Sequence, residues 1–327
     1  THRCAPGRLR RGYGPSPTVL SSQPVAWSTH HGANCVRREG ITPSMKVHDL
    51  AYLVREKLHI PHDLRLADVP ATLRTKPVSP SDVKDVSAEA RESMPLLAQM
   101  AVDAGAGRPF VKWWHYFDAY EEQFAALAER SREGRLDRPV RILEMGVWRG
   151  GSLDLWRQYF GPEAVIFGID IDEVILSLGI DSAEVRVGSQ TDEAFLRTVV
   201  EEMGGVDVVI DDGSHQSKDV IASLRILFPL LADGGRYVIE DLHTSYWPTW
   251  GGGFRRRGSS IEALKELVDT LHAPYYARSH RRGDLGIERD SLQSIQLYDS
   301  VAVLKKAACA GPQPFRGGDH TRPEASI

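Results

Sequence analysis

The sequence predicts an α/β fold, in which helices cover both faces of a doubly wound, mostly parallel seven-stranded sheet. From residue 140 onward, short apolar runs alternate with stretches of helical period, a pattern that is typical of a parallel sheet. The chain then closes with two β-rich runs in 294–306, separated by Asp299 and Ser300. This break predicts a hairpin, so the last strand is expected to be antiparallel to its neighbour.

The expected elements follow one another without an internal repeat. Strands are expected at 140–145, 164–169, 184–187, 206–211 and 235–240, before the closing hairpin. Helices are expected between them at 151–160, 172–179, 190–203 and 216–231, with another at 261–272. Several of these strands end in polar residues, which is how a buried strand delivers side chains to a site.

The part of the chain before the sheet has a different character. Residues 1–44 are rich in Gly, Pro, Ser, Arg and His and lack a sustained apolar period. We expect them to be disordered or to extend beyond the natural start, the alternative being an arm that folds on a partner chain. Residues 45–110 are expected to form a small helical segment, with helices over 45–60 and 87–103.

A helix over 112–124 is expected to open the main domain, which spans 111–306 and precedes an expected disordered tail at 307–327. The aromatic residues of this helix recur at helical spacing and are expected to face the core: Trp113, Tyr116, Phe117, Tyr120 and Phe124. His115 and Tyr116 open the segment, and they are the two positions that could face a ligand instead.

Composition restricts the class of protein. A net charge of −4 argues against a nucleic-acid-binding protein, which would usually be basic. No apolar stretch approaches the ~20 residues that a membrane helix needs, and the first residues lack the apolar region of a secretory signal. The three cysteines are scattered and far from the candidate site, as expected for free thiols in a reducing cytosol. A cytoplasmic protein without nucleic-acid or membrane partners is therefore expected.

A glycine-rich turn, ILEMGVWRGGS, covers Ile142–Ser152. Its glycines let a ligand approach the backbone, and the start of the following helix attracts an anionic group. The spacing differs from the GxGxxG of dinucleotide sites, and Glu144 suits a cationic ligand group better than a pyrophosphate. The next strand ends at Asp170, where an acidic residue usually accepts ribose hydroxyls.

A nucleoside with an amino-acid tail fits these features, so the sequence predicts a site for S-adenosylmethionine. The alternative is an ordinary strand–turn–helix junction, which explains the matching polar residues at two strand tips less well. At the third tip Gln190 would lie beside the adenine, whereas Thr191 and Asp192 are typical of helix N-caps. The candidate cofactor residues are Glu144, Gly146, Gly150, Ser152, Asp170, Gln190, Asp211 and Tyr116.

Carboxylates end the fourth and fifth strands, which read GVDVVIDDGSH and GRYVIED. Asp212, Glu240 and Asp241 supply hard oxygen ligands, which favour Mg²⁺ over zinc, with Mn²⁺ as a possible substitute. Neighbours on a strand face opposite ways, so Glu240 and Asp241 can both reach one ion only if the backbone turns there. Otherwise one of them caps a helix or pairs with an arginine. Asp211 is expected to point away from the metal, toward the cofactor or a structural partner.

His215 lies three residues after Asp212, and a neutral imidazole there can act as a general base. The following loop, HTSYWPTWGGGF, is expected to be a mobile lid over 243–254. Its aromatic side chains would stack on a sugar or ring of the substrate, or anchor the loop. The candidate substrate contacts are His115, His243, Tyr246, Trp247 and Trp250.

Residues 110–306 resemble a known family through the blocks ILEMGVWRGGS, DDGSHQ, VIEDLHTSYWP and QLYDSVAVLKK. These are similar to metal-dependent class I (Rossmann-like) S-adenosylmethionine O-methyltransferases of antibiotic biosynthesis, above all the mycinamicin-type macrolide-sugar enzymes. Rhamnosyl O-methyltransferases and proteins described as cephalosporin hydroxylases are related. The resemblance implies Mg²⁺ on the three carboxylates, His215 as base, a homo-oligomer, and an auxiliary domain that 45–110 would represent in shortened form.

The expected function is therefore S-adenosylmethionine- and Mg²⁺-dependent O-methylation of a sugar hydroxyl in a glycosylated natural product such as a macrolide antibiotic. The expected partner is a small-molecule glycoside. One alternative is a metal-dependent oxygenase, although the 2-His-1-carboxylate triad of iron oxygenases is not evident. Another is a non-catalytic accessory protein that binds the cofactor, which would need neither a metal cluster nor a base.

Overall fold

The computed structural model describes residues 91–104, 107–275, 285–315 and 317. The expectations for residues 1–44 and for the helix at 45–60 lie outside these ranges. Among the helices within them, none combines the length and apolar character needed to cross a bilayer.

A seven-stranded sheet forms the centre of the described chain, with strand order β3-β2-β1-β4-β5-β7-β6. The strands are β1 Arg141–Met145, β2 Val165–Asp170, β3 Glu184–Val187, β4 Val206–Asp211, β5 Leu231–Ile239, β6 Leu292–Leu297 and β7 Ala302–Lys306. The first five strands are parallel, whereas β7 runs antiparallel to both β5 and β6. The predicted fold class and the antiparallel closing hairpin are confirmed.

Six helices accompany the sheet in the described ranges. They are α1 Leu96–Asp103, α2 Tyr116–Arg132, α3 Gly151–Phe160, α4 Glu193–Glu202, α5 Ser217–Leu227 and α6 Ser260–Leu271. The helices cover the two faces of the sheet, and each face has its own apolar core. Ile142 packs with residues of α1, α2 and α3, and its neighbour Leu143 packs with residues of α4, α5 and α6. Alternate side chains of β1 thus enter opposite cores, as a sheet covered on both faces requires.

Three expected helices differ in detail. The helix expected at 172–179 is a 3₁₀ turn, Glu173–Ser177, because Gly179 soon turns the chain with a φ of 60°. Of the helix expected at 216–231, the α-helical part is α5, which ends at Leu227. A 3₁₀ turn that contains Pro229 follows, because proline cannot continue an α-helix. The helix expected at 87–103 is interrupted before Pro95, because a proline disfavours helical backbone at the residue that precedes it.

The aromatic face of α2 is confirmed as a core element. Tyr116, Phe117, Tyr120 and Phe124 are each at most 4 % exposed. The helix begins at Tyr116 rather than at 112, so Trp113 belongs to the preceding segment. This start places two tyrosine hydroxyls near the carboxyl edge of the sheet.

The residues after β7 remain attached to the body where they are described. The Ala307 amide donates to the Ser291 carbonyl oxygen at 3.1 Å, and the Cys309 amide donates to that of Asp290 at 2.7 Å. The expected tail therefore begins along the surface of the domain.

Asp207, near the amino end of β4, forms ion pairs with two arginines. This end of the strand is opposite the carboxyl end that carries the candidate site. Arg138 Nη1 and Arg141 Nε lie 2.7 and 3.0 Å from its Oδ2 atom. Burial would raise the pKa of Asp207, but hydrogen bonds from both arginines outweigh burial and lower it to about 2. Because the folded-state pKa is depressed, the carboxylate stabilises the fold above its unfolded pKa and loses this effect as pH falls through the folded value.

We expect Asp207→Asn to lower the free energy of unfolding by up to ~2 kcal/mol at neutral pH. This difference from the wild type should shrink as the pH falls from about 4 to about 2. Urea titrations over that window measure it. A difference that stays constant with pH would show that charge on Asp207 does not cause the effect.

Candidate functional site

The carboxyl ends of the parallel strands bring the predicted acidic residues to one edge of the sheet. Met145 of β1 pairs with Asp211 of β4, which pairs with Ile239 of β5. Asp212 follows Asp211 directly, and Asp241 comes two residues after Ile239, so both lie just beyond the ends of β4 and β5. In open α/β sheets, ligands bind outside this edge.

Asp212, His215 and Asp241 form a compact buried group, the metal group. One ligand atom from each residue lies within 4.8 Å of the others. His215 Nε2 is 3.9 Å from Asp212 Oδ1 and 3.6 Å from Asp241 Oδ2. Each of the three side chains is at most 3 % exposed. The two carboxylates supply the hard oxygen ligands that Mg²⁺ prefers, so they fit the predicted ion, and the imidazole of His215 lies beside them.

Two left-handed residues shape the metal group. His215 and Asp241 have φ values of 55° and 53°, which side-chain-bearing residues rarely adopt. Such strained positions concentrate at functional sites. Because β5 ends at Ile239, the turn at Asp241 points its carboxylate toward His215. The backbone therefore turns at Asp241, which is the condition that the sequence set for Glu240 and Asp241 to reach one ion.

Glu240 makes contacts outside the metal group. It accepts short hydrogen bonds from Lys112 and from the Tyr120 hydroxyl. Lys112 Nζ also lies 2.9 Å from Asp212 Oδ2 and 3.4 Å from Glu144 Oε1. Burial would lower the pKa of Lys112, but these carboxylates outweigh burial and raise it, so the ammonium stays charged. The metal-ligand role of Glu240 stays a prediction, with Lys112 as its observed partner.

Sequence reasoning missed Lys112. It lies 100 residues from Asp212 and 128 from Glu240 along the chain, so no local spacing connects them. A lysine followed by two tryptophans indicates only the start of an aromatic segment. The one available signal was the excess of negative charge at the strand tips, which called for a cation from elsewhere in the fold.

Tyr116, predicted as a cofactor contact, lies against Asp241 of the metal group. Its hydroxyl is 2.7 Å from Asp241 Oδ1 and 3.0 Å from Ser300 Oγ. Trp113 Nε1 donates to the same Asp241 oxygen at 3.0 Å. Burial, reinforced by the charge of Asp241, raises the pKa of Tyr116, so the phenol stays a neutral donor. These two donors fix the orientation of Asp241.

A cavity of about 320 Å³ opens next to the strand tips, within the range of small-molecule sites. Of the predicted cofactor residues, Gly146, Asp170 and Gln190 line it. The wall also includes residues that were not in the predicted set: Ser189, Gly213, Ser214 and Gln216 in the loops after the strands, and Asp219 in α5. The cavity has room and polar groups for a nucleoside.

Gly146 is required by the close approach of two strand tips. Its φ is 93°, and a Cβ atom there would overlap the carbonyl oxygen of Asp212. Beside it, the Trp148 amide donates to Asp170 Oδ2 at 3.0 Å, which joins the turn to the end of β2. The turn therefore fits only a glycine at its first position.

We expect Gly146→Ala to lower the melting temperature strongly and to abolish S-adenosylmethionine binding, because the turn and Asp212 must move apart. Gly134→Ala is the matched control, since Gly134 is also left-handed but has nothing within 4 Å of an added Cβ. The control should cost only ~1–2 kcal/mol of backbone strain. Thermal unfolding and calorimetric titration measure both effects. Equal losses in the two variants would show that the close approach is not the reason for glycine.

Glu144, Gly150 and Ser152 lie beneath the glycine turn rather than in the cavity wall. Glu144 is fully buried and accepts a hydrogen bond from Ser152 Oγ at 2.7 Å. Lys112 Nζ lies 3.4 Å from Glu144 Oε1. Gly150 has a φ of 82° and leads the chain into α3. Their observed contacts support the turn from below.

Asp211 also stands behind the cavity. It accepts hydrogen bonds from Ser223 Oγ at 2.7 Å and from the Tyr237 hydroxyl at 2.9 Å. Burial raises its pKa to about 6, against the lowering effect of these bonds. Gln190 Nε2 donates to Asp211 at 3.1 Å, while Gln190 Oε1 accepts from the Ser214 amide at 2.7 Å. Asp211 thus orients Gln190, which lines the cavity.

The loop after β5 places His243 beside the metal group. His243 Nδ1 lies 2.6 Å from Ser300 Oγ. Its ring meets Trp113 and Trp247 edge to face, with centroids 5.7 and 4.9 Å apart. Burial lowers the pKa of His243, which favours the neutral imidazole. Ser300, in the turn of the closing hairpin, was not predicted and holds both His243 and Tyr116.

The remaining candidate substrate residues differ in exposure. Trp250 is 1 % exposed and packs against Trp247, so it anchors the loop. Tyr246 is 43 % exposed. His115 is exposed, with Nε2 3.1 Å from the Asp299 carbonyl oxygen. Of these residues, Tyr246 and His115 face outward.

The chain matches no protein-family model. It is 40% identical over 220 residues to the 8-demethyl-8-(2-methoxy-alpha-L-rhamnosyl)-tetracenomycin-C 3'-O-methyltransferase of Streptomyces olivaceus, covering 62% of this chain and 53% of that relative. It is 31% identical over 299 residues to the mycinamicin VI 2''-O-methyltransferase of Micromonospora griseorubida, covering 82% of this chain and 70% of that relative. The chain thus spans about half the length of the first relative.

Solved structures of the MycE methyltransferase from the mycinamycin biosynthetic pathway are also similar. One, in complex with Mg and SAH, has a TM-score of 0.53 and 30% sequence identity, covering 68% of this chain and 57% of that chain. The shared sheet, and relatives named as O-methyltransferases, confirm the resemblance seen in the sequence. The chain belongs to the family of sugar O-methyltransferases of macrolide and tetracenomycin biosynthesis.

Proposed function

We propose that the chain transfers a methyl group from S-adenosylmethionine to a sugar hydroxyl of a glycosylated antibiotic, with Mg²⁺ as the metal. The observation that carries this proposal is that Gly213 and Ser214, which line the cavity, lie in the chain between Asp212 and His215 of the buried metal group. A cavity for a nucleoside and a site for a divalent cation share the edge of one sheet. Family membership supports the same reaction, since relatives are named for it.

Different residues of the cavity would contact different parts of the cofactor. Asp170 would accept ribose hydroxyls, since each carboxylate oxygen can accept more than the one amide bond it has here. Gln190 would contact the adenine, held in place by Asp211. Gly146 lets the amino-acid part approach the backbone. The bound cofactor supplies an electrophilic methyl group on sulfur.

Asp212 and Asp241, with Glu240 as the third predicted ligand, would hold the ion and leave positions for two neighbouring sugar oxygens. Mg²⁺ supplies a Lewis acid that lowers the pKa of a coordinated hydroxyl, and Mn²⁺ suits the same ligands. Trp113 and Tyr116 keep Asp241 in place through their hydrogen bonds. The two reactants would then be aligned at the same edge, which supplies much of the rate.

His215 would take the proton of the reacting hydroxyl at Nε2, the atom that faces both carboxylates. The deprotonated sugar oxygen would then be the nucleophile for the electrophilic methyl group that the cofactor supplies, with S-adenosylhomocysteine as the leaving group. A second role is open to His215, because its Nε2 atom lies within the metal group and would also suit a ligand. His243 and Trp247, at the border of this group, would contact the acceptor sugar.

The proposal is tested with labelled S-adenosylmethionine and a panel of acceptors. We expect label to pass to rhamnosylated tetracenomycins or to glycosylated macrolides, and not to the same aglycones without sugars. Nuclear magnetic resonance should place the new methyl group on a sugar oxygen. Methylation of an aglycone would overturn the proposed acceptor class.

The same assay separates the two alternatives. Oxygen consumption without methylated product would favour an oxygenase, although the metal group in the described chain contains a single histidine. Cofactor binding without turnover on any glycoside would favour an accessory protein. The expected homo-oligomer stays a prediction, which light scattering of the purified chain tests.

A further inference from the structure

His243 has a buried nitrogen without a partner in the described part of the chain. Its Nε2 atom is shielded from solvent and makes no hydrogen bond there. Buried polar atoms in folded proteins almost always have a partner, so an unpaired one points to a group from outside the chain. The ion does not supply that partner, because the metal group does not include His243 and Mg²⁺ prefers oxygen ligands.

Ser300 determines which nitrogen of His243 carries the proton. Its Oγ atom lies 2.6 Å from His243 Nδ1, and a flipped ring would bring a carbon to that distance, well below the ~3.3 Å of a C···O contact. The same oxygen accepts the His243 backbone amide at 3.2 Å and lies 3.0 Å from the Tyr116 hydroxyl. A serine hydroxyl has one proton and two lone pairs, so these three contacts must share them.

The proton of Tyr116 decides between the two tautomers of His243. It goes to Asp241 Oδ1, which is 2.7 Å away and is the charged acceptor. The Tyr116 oxygen accepts the Asp241 amide at 3.1 Å and retains one lone pair. The Ser300 proton then serves the contact with Tyr116, and both lone pairs of Ser300 accept from His243, one from its amide and one from Nδ1. In the neutral imidazole, Nε2 is therefore a hydrogen-bond acceptor.

The surroundings of His243 place this acceptor atom beside the proposed reaction. Its ring meets Trp113 and Trp247 edge to face, which restricts its rotation. Asp241 and His215 are near enough for their charges to act on the ring. The ring therefore lies close to the metal group, where the acceptor sugar would bind.

We propose that Ser300 is a positioning residue that fixes His243 with its proton on Nδ1, so that Nε2 accepts a hydrogen bond from a second, non-reacting hydroxyl of the acceptor sugar. A hydroxyl can donate this bond, whereas a methoxy group or a hydrogen atom in its place cannot. The site therefore selects sugars in which that hydroxyl is still free. The inference rests on the proposed function in taking a sugar as the acceptor.

The first test measures the tautomer in the full chain without an acceptor, by nitrogen magnetic resonance of isotope-labelled histidine above neutral pH. The shifts of Nδ1 and Nε2 show which atom carries the proton, and the spectrum of His243→Asn identifies the His243 signals by difference. We expect the proton on Nδ1 in the wild type and a shift toward Nε2 in Ser300→Ala. A proton on Nε2 in the wild type, or the same tautomer in both proteins, would overturn the inference.

The second test measures acceptor binding by calorimetry with MgCl₂ and S-adenosylhomocysteine present, so that no turnover is needed. The probes are a rhamnosylated tetracenomycin and a glycosylated macrolide, with analogues in which one sugar hydroxyl at a time is replaced by hydrogen. We expect one analogue to bind the wild type about tenfold more weakly than its parent, as the loss of one hydrogen bond would cause. Both should bind His243→Asn equally, because asparagine can still donate to Ser300 but has no atom at Nε2.

Two further measurements separate this role from a structural one. Ser300→Ala keeps the Cβ atom at the left-handed φ of 64°. It should bind Mg²⁺ within about threefold of the wild type and the parent glycoside about tenfold more weakly. Ser291→Ala, in the turn before β6, removes a hydroxyl that donates to the Glu288 carbonyl oxygen, and it should behave as the wild type does. Loss of Mg²⁺ binding in Ser300→Ala would show that Ser300 acts on Asp241 through Tyr116, which would contradict the inference.

The outcomes distinguish the inference from the proposed function. Glycoside binding in which every analogue loses as much affinity with His243→Asn as with the wild type sinks only the role of His243. A proton on Nδ1 in a wild type that binds no glycoside sinks the proposed function, together with the contact to a sugar that rests on it.

Discussion

Replacing His215 with asparagine should reduce turnover by about 10²- to 10⁴-fold, while S-adenosylmethionine and Mg²⁺ still bind. Asparagine tolerates the left-handed backbone that His215 adopts, with its φ of 55°, so the loop should keep its shape. It cannot accept a proton at neutral pH. The variant therefore removes the base without removing the fold around it.

Calorimetry distinguishes the two roles that His215 can have. If Mg²⁺ binding is kept and turnover is lost, His215 acts as the base. If Mg²⁺ binding is lost as well, His215 is a ligand of the ion. His272→Asn, at the exposed end of α6, is the control and should behave as the wild type. Near-normal turnover of His215→Asn would contradict both roles.

Replacing Asp212 with asparagine should abolish measurable Mg²⁺ binding and reduce turnover by about 10³-fold or more, because a metal supplies several kcal/mol of charge stabilisation. Asp212 has one oxygen toward His215 and the other on Lys112, so the change affects both sides. Calorimetric titration with MgCl₂ and single-turnover rates measure the two effects.

The adjacent Asp211→Asn is the matched control for the metal. The Asp211 carboxylate hydrogen-bonds to Ser223, Tyr237 and Gln190, which lie outside the metal group. We expect it to keep the Mg²⁺ affinity of the wild type and to weaken S-adenosylmethionine binding through Gln190. Loss of Mg²⁺ binding in both variants to the same degree would mean that Asp212 has no special role.

The fold was predictable because periodicity is local. The alternation after residue 140 and the break at Asp299 and Ser300 determine a parallel sheet with an antiparallel end, and the structure has both. The helix expected at 172–179 was wrong in type, because a pattern of apolar residues does not show how soon Gly179 turns the chain.

The site was predictable to the extent that strand tips determine it. Asp212, His215 and Asp241 follow buried strands directly, and parallel strands bring their ends together. Lys112 and Ser300 come from the edges of the domain, and their contacts depend on tertiary packing that no spacing encodes. Tyr116 was recognised as a polar group at the start of a helix, but its partner Asp241 lies 125 residues away.

The most direct test of the account is turnover of an accepted glycoside before and after removal of divalent metal. The full chain is treated with EDTA, dialysed, and assayed as MgCl₂ is added back. We expect methyl transfer to disappear in the chelator and to return with added Mg²⁺, saturating at the concentration at which calorimetry shows the metal site to be filled. Undiminished methyl transfer in EDTA would contradict the metal role on which the account rests.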